Sequence, residues 1–383
     1  MHNVIMEEKV LKLNKSNWVP TKLGELATEI SKRVDNPSES EYERFVGLGN
    51  FVSGDIKIKS WEVTDNLASS AKAFQSGDIL FARRNAYLRR ASMVDFDGCC
   101  SGDAFVLREN HEKIVPGFLA FLLNSDTLWD YANSNAAGTM SKRVKWRDLA
   151  EYEFLLPPKD QQAKLAELLW AMDEVIEREN EVLGKLKIDK TVSLKNYFKE
   201  YTKEVQLKKI GEIITGSTPS TKNKDYWNGD IQFVTPADLE TQIKVKKTVR
   251  CISEKGLQVT REIPPNSVMV VCIASVGKMG ISTKRCATNQ QINTIIPNVD
   301  INPKYLYNTL NLFIHRIISR AANSVVPILN KGDFSRIKMP LLDKIERDKF
   351  VKIADKFDDS INDFESKIQS SKALQKSLIN QVF

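Results

Sequence analysis

The phrase TKLGELATEI at residues 21–30 returns as KKIGEIITGS at residues 208–217. Counted from Gly24 to Gly211, the second copy lies 187 residues after the first, about half of the 383-residue chain. A period that long exceeds the roughly 20–50 residues of a stacked repeat, so the phrase points to a duplicated domain. The parallel continues outward. SGDILFARR (76–84) is matched by PNSVMVVCIAS (265–275), each a turn followed by an apolar run of strand type. CCSGDAFVL (99–107) is matched by TNQQINTII (288–296), and VPGFLAFLLNS (115–125) by INPKYLYNTLN (301–311), where a Pro leads into a helix-like stretch. GTMSKRVKWRDLAEYEFLLPP (138–158) and NSVVPILNKGDFSRIKMPLLD (323–343) close the two copies. Each copy mixes short strands with one or two helices, which is an α+β globule.

Both copies end in the same kind of element. Residues 159–199 and 343–383 are each 41 residues long, with Gly184 the one glycine and no proline between them. Leu165, Leu169, Met172, Ile176, Leu183, Leu186, Leu194 and Tyr197 keep helical spacing in the first segment. Phe350, Ile353, Phe357, Ile361, Phe364, Ile368, Leu378 and Val382 do so in the second. Such seams predict long amphipathic helices, about 60 Å each at 1.5 Å per residue. Neither can bury its seam alone, so the two are expected to pair, antiparallel because a whole globule intervenes. Glu179 and Lys190 interrupt the first seam; they could set the register of the pair, but are expected to be solvated breaks in it. The predicted organisation is a globule at 1–158, a helix at 159–199, a second globule at 200–342 and a second helix at 343–383: an α+β pseudo-twofold repeat with two globules on a rigid spacer.

Composition sets limits on this design. Apolar residues make up 42% and charged residues 27%, the balance of a soluble globular protein. No apolar run approaches the ~18 residues of a membrane span, and the opening MHNVIMEEKVLKLNKSNW lacks a secretory signal's apolar core. Five cysteines (Cys99, Cys100, Cys251, Cys272, Cys286) without C-x-x-C spacing read as reduced thiols, with cytoplasmic location the expectation. Residues 1–158 carry 20 basic against 22 acidic side chains, whereas residues 200–342 carry 20 against 11. The net charges of −2 and +9 suggest an anionic partner most clearly for the second half.

Catalytic motifs are missing from the sequence. Three histidines offer little for acid–base or metal work, and neither H-E-x-x-H, G-x-S-x-G nor a dinucleotide fingerprint occurs. ASVGKMG (274–280) resembles a phosphate loop, but Cys272 stands where that pattern needs its first Gly. The chain is expected to catalyse nothing and to hold no metal or cofactor. On these features alone a coiled-coil protein–protein scaffold with two adaptor domains remains an alternative to a DNA-binding protein.

The stretch ITGSTPSTKNKDYWNGDIQFVTPADL (214–239) resembles the opening of a target recognition domain from the specificity subunit of type I restriction–modification enzymes. Gly216, Thr218, Pro219, Ser220, Tyr226, Trp227, Thr235 and Pro236 carry the likeness. IASVGKMGI (273–281), TNQQIN (288–293), LPPKDQQAKLAELLWAMDEVIE (156–177) and WVPTKLGEL (18–26) are similar to further parts of that family, so the resemblance spans residues 18–383. The first globule departs from it, offering ISKRVDNPSESEYERF (30–45) in place of the Gly-x-Thr-Pro-Ser turn. The resemblance implies a non-catalytic subunit whose two domains each read one half of a split, asymmetric site in double-stranded DNA. It also implies helices that fix the gap and dock two methyltransferase subunits, with translocating endonuclease subunits in the full complex. S-adenosylmethionine, ATP and Mg²⁺ would belong to those partners.

Base identity is legible in the major groove, where Arg pairs with guanine and Asn or Gln with adenine, while phosphate contacts only position the protein. By type and setting the candidates in the first domain are Arg83, Arg84, Asn85, Arg89 and Arg90, with Lys142, Arg143 and Lys145. Singly each reads as a solvated charge; together they read as a binding cluster. In the second domain the candidates are Thr218, Lys222, Lys224, Tyr226, Lys278, Asn289, Gln290, Gln291 and Lys331. Asn289 to Gln291 equally suit a turn that satisfies its own backbone. Trp227 is expected in its domain core rather than against DNA, and KVKKTVR (244–250) alternates like an exposed strand that is either phosphate-facing or a protected edge, the edge being the preferred reading.

Overall fold

The computed structural model describes residues 13–200, 203–240, 243–321 and 326–383. The chain divides into two compact units, one formed by residues up to Val182 together with Phe364–Phe383, the other by Leu183–Asp363.

In the first unit the main sheet comprises β1 (Ala27–Ile30), β2 (Ile79–Ala82), β3 (Ala91–Met93) and β4 (Ala104–Glu109), in the order β1-β4-β2-β3 and antiparallel throughout. In the second unit β5 (Gly211–Thr215), β6 (Val268–Val271), β7 (Met279–Ser282) and β8 (Ile292–Pro297) repeat that order as β5-β8-β6-β7. The strand sequences explain the sheets. ILFA in β2 and VMVV in β6 are apolar at every position because both sheet faces are covered. Ile79 and Phe81 enter one core cluster while Leu80 enters another, and Val268 and Val270 separate from Met269 and Val271 in the same way. Each unit adds a second sheet containing a parallel pair, five-stranded in the first unit and three-stranded in the second: Arg44–Val46 beside Gly98–Cys100, and Trp227–Val234 beside Cys286–Thr288. The 244–250 run is not one strand: Lys244–Val245 lies at the edge of the second unit's main sheet and Arg250–Ile252 at the edge of its three-stranded sheet, because the two ends pair with different neighbours.

The duplication is real, but its register differs from the one the repeated phrase suggests. The amide of Leu23 donates to the Tyr152 carbonyl at 2.9 Å, and that of Leu207 donates to Ile337 at 3.0 Å. Leu26 and Ile210 then accept from Asn110 and Asn298. Leu23 therefore corresponds to Leu207 rather than to Ile210, a shift of one short helical turn. The cause is local: in LKKIGEII the apolar residues recur every three positions, so the phrase superimposes on TKLGEL in two registers, and only the carbonyl partners select one.

Two long helices, α1 (Lys159–Asn196) and α2 (Lys344–Val382), follow the repeats, each about 57 Å long at 1.5 Å per residue. Within the first unit Leu165, Ala166 and Leu169 share a core with Leu378, Ile379 and Val382, while Asp173 faces Gln375 and Glu179 faces Lys367. Partners descend along α2 as they ascend along α1, which is antiparallel packing. Within the second unit Leu194 packs with Phe350, Val351 and Ala354, Tyr197 meets the Phe350 ring edge-on, and Lys190 pairs with Asp358. Glu179 and Lys190 were expected to be solvated; Glu179 is instead buried and Lys190 mostly so, since the packed partner helix covers the seam they interrupt. Among the described residues no helix is long and apolar enough to cross a membrane.

Candidate nucleic-acid interface

In the first unit the turn between β2 and β3 carries RRNAYLRR (83–90), and its shape is set by backbone contacts with the segment before residue 146. The Asn85 amide donates to the Lys142 carbonyl at 2.9 Å and the Val144 amide donates to the Arg83 carbonyl at 3.0 Å. Asn85 occupies the left-handed region at φ +55°, which asparagine tolerates better than most side chains.

The organising group behind this turn is acidic. Asp103 receives Arg143 Nε and Nη2 at 2.7 and 3.1 Å, and Arg84 Nη1 stands 3.5 Å from the same carboxylate. Arg84 Nη2 also donates to Ser141 Oγ at 3.2 Å. The Arg143 hydrogen bond, helped by the charges of Arg143, Arg84 and Arg83, holds the Asp103 carboxyl below its ordinary value against the opposing effect of burial. Arg83 lies over the Phe105 ring at 5.4 Å with its Nε buried and without an acceptor. Lys142 and Lys145 are exposed and have no ion-pair partner among the described residues. Two arginines on one carboxylate, with Arg83 and two lysines beside them, leave this patch positive although the first half of the sequence is not.

Arg89 and Arg90 belong elsewhere. Arg89 pairs with Asp126 and, at 2.7 Å, with Asp130, both on the helix Asp126–Ser134. Arg90 reaches the Leu48 carbonyl at 2.7 Å, and burial pulls its guanidinium below its usual pKa. The structure thus brings together Arg83, Arg84, Asn85, Lys142 and Arg143, and ties the last two arginines of RRNAYLRR into the scaffold.

The second unit repeats the backbone and changes the side chains. The Ala274 amide donates to Pro327 at 2.9 Å, the Leu329 amide donates to Cys272 at 2.8 Å, and Ala274 has φ +62°. Cys272, Ile273 and Ala274 therefore stand where Arg83, Arg84 and Asn85 stand in the first unit. Polar candidates sit on adjoining turns instead. Thr218 Oγ1 donates to Gln290 Oε1 at 2.7 Å, and the Ser217 amide donates to the Thr288 carbonyl at 2.9 Å. Gly216 is required here because a Cβ would fall 2.2 Å from the Asn289 carbonyl oxygen. The Asn289 side chain bonds to both the amide and the side chain of Gln291, which makes these two residues turn formers. Lys278 pairs with Glu240 at 2.8 Å. Lys222, Lys224 and Lys331 are exposed without an ion-pair partner among the described residues, and the half-buried Tyr226 accepts the Ser253 amide through its carbonyl. Trp227 packs against a small core with Phe233 and Ile252, as expected, and donates Nε1 to the Ser220 carbonyl at 3.1 Å.

Sequence reasoning missed Asp103, an acid inside a basic patch, because nothing in CCSGDAF marks it. It also missed the stacked arginines Arg44 and Arg250. The Arg250 guanidinium lies 3.7 Å above Trp227, and Arg44 lies against the contacting pair Trp61 and Phe96, 4.6 and 4.8 Å from their rings. The available signal was one Arg and one Trp in the same strand–turn–strand segment of each half.

A family model described as the type I restriction modification DNA specificity domain matches the chain twice, over residues 15–187 and 199–371. The specificity subunit of the type I restriction enzyme HindI from Haemophilus influenzae is 23% identical over 380 residues, spanning 77% of this chain and 82% of that protein. The fold is similar to a chain from a solved structure on complex assembly and conformational transition of a type I R-M system, with TM-score 0.59, 22% identity, and 95% and 96% of the two chains covered. It is also similar to the S subunit of a type I restriction–modification system from M. genitalium, with TM-score 0.54, 16% identity, and 97% and 98% covered.

Proposed function

The chain belongs to the type I restriction–modification DNA specificity family, whose members are non-catalytic subunits that recognise DNA sequence, and from that premise we propose that each of its two units reads one half of a split, asymmetric site in double-stranded DNA. The observation that carries this reading is the repeated turn. One backbone hydrogen-bond pattern places Arg83, Arg84 and Asn85 in one unit and Cys272, Ile273 and Ala274 in the other. A common backbone scaffold carrying different side chains is what two readers of different half-sites need.

The long helices α1 and α2 offer the surface on which two methyltransferase subunits would dock, with endonuclease subunits joining the full complex in the cytoplasm. S-adenosylmethionine, ATP and Mg²⁺ would be held by those partners. The test is methylome sequencing of the host with and without this gene. A split motif that vanishes on deletion supports the reading; a motif that persists, or a contiguous one, refutes it.

A further inference from the structure

Most of the 17 arginines have their guanidinium groups committed inside the protein. Arg108 is held by Asp78, Arg143 by Asp103, Arg285 by Glu254, Arg316 by Glu204 and Arg347 by Asp300. Among the described residues three guanidinium groups have neither a carboxylate nor a hydrogen-bond acceptor: Arg44, Arg83 and Arg250. Each of the three lies against an aromatic ring. Stacking fixes the plane of a guanidinium without consuming any of its five N–H donors.

Arg250 is the closest stacked of the three, at 3.7 Å, and the residue is exposed, whereas Arg83 Nε is buried. Its platform is rigid: Trp227 is anchored through Nε1 to the Ser220 carbonyl and packs edge-on against Phe233, which lies opposite Arg250 in the strand ladder. Through Ser220 the stack adjoins the turn that bears Thr218 and its bond to Gln290. The exposed Lys222 and Lys224 extend the same segment. The need for such a donor is also visible, since the second unit's β6–β7 turn has Cys272 and Ile273 where the first unit has two arginines.

We propose that Arg250, braced on Trp227, is a base-reading residue of the second unit and donates two parallel N–H groups to O6 and N7 of a guanine. This inference rests on the half-site reading above and deepens it. A guanine edge presents two acceptors in one plane at the spacing of that donor pair.

The test uses host strains carrying wild type, Arg250→Ala or Arg250→Gln in the intact system, read by methylome sequencing. The Gln side chain is planar, can still lie on Trp227, and favours adenine, so it keeps the fold while changing the chemistry. The expected result is one G·C position of one half-site that becomes degenerate in the Ala strain and accepts adenine in the Gln strain, with the other half-site unchanged. In binding assays with the purified wild-type complex, 7-deazaguanine at that position should weaken affinity on the order of 10- to 100-fold and should not weaken the Arg250→Gln complex further. An unchanged motif in both variants overturns the proposal. So does a uniform loss of methylation without a degenerate position, the signature of a phosphate contact. A wild-type strain without any split motif overturns the half-site reading itself, and this inference with it.

Discussion

Glu179 lies buried in the first unit's helix pair with Lys367 Nζ 3.4 Å from its Oε1, and neither carboxylate oxygen has a hydrogen-bond donor among the described residues. Lys367 keeps most of its side chain in water, so the pair desolvates the acid more than the base. A buried carboxylate with one distant, hydrated partner costs more than it returns. Replacing Glu179 with Leu should therefore raise stability by about 1–3 kcal/mol. Chemical denaturation of the purified chain checks this, and a lower midpoint would mean that Glu179 contributes net stability.

Asp173, two turns earlier on the same helix, gives a pH-dependent counterpart. Burial raises its carboxyl above the ordinary value despite the Gln375 hydrogen bond, and its Oδ2 has no hydrogen-bond donor among the described residues. The folded state therefore takes up a proton at higher pH than the unfolded chain, and the native state loses stability as pH rises through the folded pKa. Asp173→Asn should be more stable than wild type at pH 7, by about 1 kcal/mol. That advantage should shrink as pH falls through the raised folded value towards the ordinary carboxylate pKa of about 4. Melting curves across this range measure the gap; a gap that widens on acidification contradicts the assignment.

Asp103 should act on discrimination more than on affinity. Asp103→Asn removes a negative charge from the patch and frees Arg143 and Arg84 from their shared carboxylate. Binding to unrelated duplex at low salt should strengthen a few-fold, because electrostatics dominate non-specific affinity. Preference for the first unit's half-site should fall about ten-fold, because the two arginines lose their fixed orientation. Competition binding with half-site variants separates the two effects; loss of both affinities together would indicate a folding defect.

Arg83→Ala with Arg84→Ala is expected to weaken or relax one half-site and spare the other. For every phosphate that these side chains no longer neutralise, the log–log dependence of binding on salt should also flatten by about 1. Equal losses at both half-sites, or none, would remove these residues from the interface.

The sequence by itself determined the duplication, the two α+β repeats and the existence of the long helices, which run Lys159–Asn196 and Lys344–Val382. These features are legible because local periodicity encodes them: apolar spacing of about 3.6 specifies a helix, and an unbroken apolar run in a short strand specifies a sheet buried on both faces. The correspondence of Leu23 with Leu207 rather than Ile210 was not legible, since an apolar residue every third position fits two registers until a distant carbonyl chooses between them. The fates of the four arginines in RRNAYLRR were not legible either. One stacks on Phe105, one shares Asp103, one pairs with Asp126 and Asp130, and one reaches the Leu48 carbonyl. Their spacing along the chain is the same doublet written twice. Whether a guanidinium is spent on the scaffold or left for a ligand depends on which acceptor arrives within about 3 Å, and those acceptors come from segments tens of residues away. Tertiary structure alone makes that choice, because a side chain's partners are set by the packing of the elements that carry them.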